Sequence, residues 1–238
     1  MKKLFIPLIA ICLTLSGCAE LQQVANQLPQ AGGILSTADI AAGLREALDK
    51  GIEKQVSKLT QTDGFYKNQL VKILLPPELQ KVDKTLRDIG LASLADEGLK
   101  MMNRAAEDAV KQATPIFVSA VKNITFNDAK NILMGNDEAA TSYLRTSTSS
   151  QLYTKFNPVI KSSFSKVGAD KVWNNIISKY NQVPFVTKVN PDLTDYVTNE
   201  ALDGVYKMIA VEEKDIRNNI NARTSILLKK VFAAQDSK

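Results

Sequence analysis

From about residue 36 onward the apolar positions recur at helical spacing, and the polar positions between them carry the signals that start and stop helices. Ile40, Leu44, Leu48, Ile52, Val56 and Leu59 fall on one face, which predicts an amphipathic helix. Ser36, with Asp39 three residues on, has the spacing of a capping box at its start, and Asp63-Gly64 marks its end. Val71 to Leu75 reads as a short extended piece running into Pro76-Pro77, whose second proline suits the first turn of a helix through Arg87, closed by Gly90. Ser93 and Asp96 open a long helix through Met101, Ala105, Ala109 and Ala113. Pro115 kinks or breaks it, because proline removes a backbone hydrogen bond and crowds the preceding turn. Thr125 and Asp128 form a second capping box, and Gly135 stops the helix they begin.

Asp137 caps the next helix, which carries Ala139, Ala140, Tyr143 and Leu144. The hydroxyl run from Thr146 to Ser150 reads as a helix junction inside the domain, since Leu152, Phe156, Ile160, Phe164 and Val167 resume helical spacing directly after it. Gly168 ends that helix, and Val172 to Tyr180 forms another amphipathic segment. Residues 181–191, with Pro184 and Pro191, are the clearest internal loop. Asp192 then starts a helix through Ile209, and a last helix covers about Ala222 to Ala233. The predicted fold is all-α, a single multi-helix domain of about eight to ten helices with at most one very short extended segment. No tandem period is visible that would indicate a solenoid.

Ahead of this domain lies a different pattern. Lys2 and Lys3, an apolar stretch from Leu4 to Leu15, and the run Leu15-Ser16-Gly17-Cys18 make up a secretory signal. The apolar stretch is well short of the ~20 residues a membrane-spanning helix needs. The run ending in Cys18 resembles the lipobox of bacterial lipoproteins, in which a peptidase cleaves before a cysteine that receives lipid. The resemblance implies residues 1–17 as signal peptide, Cys18 as the lipidation site, residues 18–36 as lipidated N-terminus and tether, and residues 37–238 as the helical domain. Two or three acyl chains hold a protein on a membrane essentially permanently, at roughly 0.8 kcal/mol per buried methylene. A flexible coil of ~17 residues would hold the domain roughly 20 to 25 Å from the bilayer. Ala19, directly after the cysteine, brings no acidic sorting signal, which favours the periplasmic face of the outer membrane.

Cleavage changes how the composition reads. Without Lys2 and Lys3 the 30 basic and 25 acidic residues become 28 and 25, a net charge of +3. So small an excess, without long basic runs, gives no footprint for nucleic acid. Cys12 leaves with the signal, Cys18 is consumed by lipid, and the chain has no histidine. These facts exclude cysteine or histidine catalysis and the usual zinc sites, and the sequence implies no metal and no cofactor.

The densest polar group lies on one predicted helix. Asn103 and Glu107 are one turn apart and would either line a cavity or make a helix–helix hydrogen bond beside a solvated face, and we favour the second; Arg104 and Asp108, also one turn apart, would pair toward water. A second group is Asp128, Thr141 and Arg145. The planar fork of Arg145 suits a bound carboxylate or phosphate, but it would equally tie its helix to Asp128 across the Gly135 loop, and we favour the tie. These six residues, Asn103, Arg104, Glu107, Asp128, Thr141 and Arg145, are the candidate ligand contacts. Glu212, Glu213, Arg217 and Arg223 read as a charged corner latching the final helix. A hydrolase of the glycosidase kind would need two carboxylates across a cleft, such as Glu107 with Glu213 or Asp128.

Several segments, in order, resemble a bacterial lipoprotein family catalogued as domain of unknown function 4197. Among them are Gly43-Leu44-Arg45-Glu46-Ala47-Leu48, Met102-Asn103-Arg104-Ala105-Ala106-Glu107, Asp128 to Gly135, Ala139 to Arg145 and Ala201-Leu202-Asp203-Gly204-Val205-Tyr206. The resemblance runs from about residue 38 to 233 and implies an exported helical domain without an assigned activity. The expectation is therefore a lipid-anchored cell-envelope protein whose domain binds an apolar ligand or an envelope protein partner. The alternative is a carboxylate-dependent hydrolase acting on an envelope substrate.

Overall fold

The structure is a computed structural model that describes residues 35–80, 84, 87–88, 90, 92–166, 170, 178, 181–182, 188 and 192–236. These residues form an all-α body with no strand among them. The α-helices are α1 (Thr37–Leu59), α2 (Ala92–Val110), α3 (Ala113–Lys122), α4 (Phe126–Leu133), α5 (Ala139–Lys166), α6 (Leu193–Asn218) and α7 (Ile226–Phe232). Two short 3-10 turns, Pro77–Leu79 and Ile220–Ala222, accompany them. Seven helices are thus described, against the eight to ten expected; most of the helix expected over Val172–Tyr180, of the one leading to Arg87 and of the loop at 181–191 lies outside the described residues.

Three start signals act as their spacing predicts, whereas α2 begins at Ala92, ahead of Ser93, with Asp96 paired to Arg87, and ahead of α5 it is Asn136, not Asp137, that accepts from the Glu138 amide. Ser36 accepts from the Asp39 amide while Asp39 accepts from the Ser36 amide, and Thr125 and Asp128 repeat that exchange at the start of α4. Asp192 caps α6 by accepting from the Thr194 and Asp195 amides. Each cap satisfies amides that the first helical turn leaves without partners. Pro115 does not kink a continuous helix. The chain turns at residues 111–112 and Pro115 falls within the first turn of α3, where its missing N–H has no helical acceptor to lose.

The expected junction at Thr146–Ser150 is also corrected, since α5 runs unbroken through it for 28 residues. Its hydroxyls turn back onto the helix: Thr146, Ser147, Thr148 and Ser149 donate to the carbonyls of Ser142, Tyr143, Leu144 and Arg145, each four residues earlier. Hydroxyls that compete with the backbone elsewhere are here satisfied without leaving the helical path.

Buried positions in α5 step strictly by four, through Ala140, Leu144, Thr148, Leu152, Phe156, Ile160 and Phe164. Each step advances about 40° round the helix, so the buried stripe sweeps about 240° from end to end. No single neighbour can cover such a stripe, and α5 packs in succession against α2, α3, α4 and α6. It forms the centre of the body with α6. Ala105, Ala106, Ala109 and Ala113 are at most 1% exposed and leave α2 and α3 room to pack on their neighbours, α5 among them. The small residues therefore serve packing rather than opening a cavity.

Close approach decides the packing of α1 against α7. A Cβ on Gly43 would stand 2.6 Å from Val231 Cγ2 and 3.0 Å from its Cβ, and a branched side chain has no room to swing aside. Gly43→Ala is expected to cost about 1 to 3 kcal/mol in urea unfolding, and Val231→Ala in the same chain to recover part of it. A Gly43→Ala variant as stable as the parent would show that the two helices separate freely.

Candidate functional site

The polar residues singled out by the sequence fall in two clusters deep in the body and at separate positions outside them. On α2, Asn103 is fully buried and grips the extended piece after α1. Its Oδ1 accepts from the Ile73 amide at 2.8 Å, and its Nδ2 donates to the Ile73 carbonyl at 2.9 Å and to Leu99 O at 2.8 Å. One side chain thus satisfies both backbone groups of Ile73, as a neighbouring strand would. The Tyr196 hydroxyl from α6 donates to the next carbonyl, that of Leu74. The same stretch is seated on Gly204 of α6, where a Cβ would come within 2.7 Å of the Phe65 ring.

Glu107, 3% exposed, holds the turn before that piece. One oxygen accepts from the Phe65 amide at 3.1 Å and more weakly from Tyr66 at 3.5 Å, while the other accepts from Arg104 at 2.6 Å. Arg104 also donates to Asp63 at 2.6 Å. This corrects the expected Arg104–Asp108 pair, because Asp108 pairs with Lys111 at the surface. The nearer partner wins since Glu107 lies on the buried face and Asp63 approaches from the turn, so the fork spans both. Sequence reasoning missed Asp63, whose position before Gly64 read only as a stop. Its φ of +69° is the left-handed conformation that aspartate tolerates at such a stop. The Lys67 ammonium, with help from Arg104, holds the Asp63 carboxyl below its usual range.

The second cluster joins α4, α5 and α6. Glu213, 8% exposed, points at the start of α5, where it accepts from the Ala140 and Thr141 amides and the Thr141 hydroxyl, all at 2.8 Å. Arg217, 5% exposed, donates to Glu213 at 2.8 and 2.9 Å and to the Ile132 and Leu133 carbonyls at the end of α4 at 2.8 and 3.0 Å. The anion thus meets the positive end of one helix dipole and the cation the negative end of another. One turn of α6 closes the α4–α5 corner. Arg223, also buried, donates to the Ile216 and Arg217 carbonyls and to Asp236, which ties down the chain after α7.

The remaining candidates are separated. Asp128 is spent on its capping box and Thr141 on Glu213. The expected tie from Arg145 to Asp128 is corrected: Arg145 pairs with Asp203 at 2.5 Å and lies over the Tyr206 ring, 4.6 Å from its centroid. Tyr206 is buried, with its hydroxyl bonded to Thr148 and Ser149, so α6 offers Arg145 both a carboxylate and a ring face. Asn103, Arg104 and Glu107 are brought together, but Asp128, Thr141 and Arg145 go to three different partners.

A crevice lined by Leu48, Gly51, Glu212, Glu213, Arg217 and Phe232 has a volume of about 20 Å³, room for about one water. A groove bordered by Tyr66, Asp96, Lys100, Met101 and Arg104 is open to solvent. Among the described residues no three His, Cys, Asp or Glu side chains are placed to hold a metal, and no helix is long and apolar enough to cross a membrane. Residues 34–233 match the model of a family described as "Protein of unknown function (DUF4197)". No curated protein and no solved structure matches the chain.

Proposed function

The chain belongs to the DUF4197 family, and from that premise we propose that it is a lipid-anchored cell-envelope protein whose helical domain works as an interaction module through its outer surface. The supporting observation is that its buried carboxylates are already engaged. Glu107 and Glu213 each accept from backbone amides and from an arginine, with 3% and 8% of their surface exposed. A general acid or base must reach the proton it moves, directly or through one water, and these two are held by the fold itself. That argues against the hydrolase reading. The crevice beside Glu213 has room for about one water, too little to enclose an apolar ligand at that place. The reading rests on the outer surface of the described body, with a tether through Cys18 holding it near a membrane.

The test is to express the full chain in a bacterial host with labelled palmitate. Label is expected on the wild type and not on Cys18→Ala, with the variant moving to the soluble fraction. Native mass spectrometry of the purified protein is expected to give the lipidated polypeptide alone. Unchanged labelling of Cys18→Ala would remove the anchor, and a stoichiometric small molecule would restore the carrier reading.

A further inference from the structure

The outward face of α5 is the longest basic, acid-free helix surface among the described residues. The helix carries Arg145, Lys155, Lys161 and Lys166 and no acidic residue in 28 positions. The chain that cleavage would leave has 28 basic and 25 acidic residues, so with α5 removed the balance is 24 to 25. This one helix therefore holds more than the whole positive excess. Arg145 is neutralised by Asp203, but among the described residues Lys155, Lys161 and Lys166 have no carboxylate partner. All three are exposed.

They share one face. From Ser150 to Lys166 the exposed positions Gln151, Thr154, Lys155, Pro158, Lys161 and Ser162 fall within about half the helix circumference, over a length of roughly 24 Å. The half-cylinder lies opposite the buried positions Leu152, Phe156, Ile160 and Phe164. It holds hydroxyls, ammonium groups and the Gln151 amide, with Pro158 on it and Val159 at its margin as the apolar members. A solvated helix face ordinarily interleaves both signs at i and i+4, and a protein-docking face ordinarily presents aromatic or large aliphatic anchors. This face does neither. Among the described residues beside it, Asp108 pairs with Lys111 and Asp170 accepts from the Ser165 hydroxyl.

We propose that the outward face of α5, through Lys155, Lys161 and Lys166 and the hydroxyls between them, docks the domain on the anionic phosphate headgroups of a lipid bilayer. Ammonium groups supply the attraction and hydroxyls the hydrogen bonds that phosphate oxygens accept. This rests on the anchored reading for its setting, since a tether keeps the domain within reach of a bilayer and turns a weak contact into a persistent one. The contact itself requires no lipid on Cys18, so the two ideas fail separately.

The experiment uses the chain from residue 18 carrying Cys18→Ser, which retains the whole compact unit from Leu35 to Lys238. It is mixed with sedimenting vesicles of phosphatidylcholine alone, or with about a third phosphatidylglycerol. Binding is expected only to the anionic vesicles and is expected to fade as salt rises toward molar concentration, where charges are screened within a few ångströms. Lys155→Gln, Lys161→Gln and Lys166→Gln together are expected to weaken binding about 100-fold, at roughly fivefold for each lysine near a charged surface. Lys58→Gln, Lys207→Gln and Lys214→Gln, on other exposed faces, are expected to leave it unchanged. Equal binding by the two triple variants, equal binding to neutral vesicles, or no vesicle binding by a chain whose circular dichroism is intact would overturn the proposal.

Discussion

Replacing Arg217 by methionine is expected to lower the unfolding free energy by about 3 to 5 kcal/mol, and the thermal midpoint by roughly 10 °C for a domain of this size. The substitution keeps the aliphatic reach of the side chain but removes every donor. Ile132 O and Leu133 O at the end of α4 lose the guanidinium and keep the Gly135 amide and the Gln235 side chain, and Glu213 loses its cationic partner in a site 8% exposed. Glu213 still accepts from Ala140, Thr141 N and Thr141 Oγ1, so its charge is partly held, and the lower half of the range is the better estimate. Arg217→Lys should recover little, because one ammonium cannot span two carbonyls and a carboxylate as the planar fork does. Glu213→Leu with Arg217→Met should lose less than Arg217→Met alone, since no isolated charge then stays buried. A single variant that melts within about 2 °C of the parent in a scan at neutral pH would mean that the α4–α5 corner is held by apolar packing alone.

The contrast between what the spacing disclosed and what it did not follows the range of the interaction. Ser36 with Asp39, Thr125 with Asp128, and Asp192 with its two amides are contacts two or three residues apart, and such contacts are written directly in local order. The apolar face of α1 was legible for the same reason. Partners far apart in sequence were not. Arg145 had Asp128 within reach of a short loop, yet the choice of Asp203 depends on α6 bringing Tyr206 beneath the guanidinium, 61 residues away along the chain. The hydroxyl run in α5 misled because serine and threonine weaken a helix only when their oxygens find better partners than the preceding turn. Packed at the centre of the body, they did not. The six candidate residues were chosen as polar groups among apolar ones, and that criterion finds buried polar residues without distinguishing those that serve a ligand from those that serve the backbone. Asn103 belongs to the second kind.

Asn103→Ala is the sharpest way to see that service. It removes three hydrogen bonds and leaves the Ile73 amide and carbonyl without their partner in a site where Ile73 itself is 1% exposed. At about 1 to 3 kcal/mol for each buried group left unpaired, the expected loss is about 3 kcal/mol in urea unfolding. The effect should also be local. Hydrogen exchange should rise at residues 71–75 while the amides of α5 and α6 keep their protection, because Tyr196 and the seat at Gly204 hold only part of the segment. Asn103→Asp separates geometry from charge. Its oxygens still accept from the Ile73 amide, but two carbonyls face a carboxylate that burial disfavours, so the folded state raises its pKa above the unfolded value. Such a group contributes stability below its unfolded pKa, where the protonated acid donates to one carbonyl, and that contribution is lost as pH rises through the folded value. Asn103→Asp should therefore approach the parent most closely in acid and fall away toward neutral pH, whereas the deficit of Asn103→Ala should stay level. Parallel pH profiles for the two variants would show that Asn103 acts by filling space rather than by holding the strand-like segment through its amide.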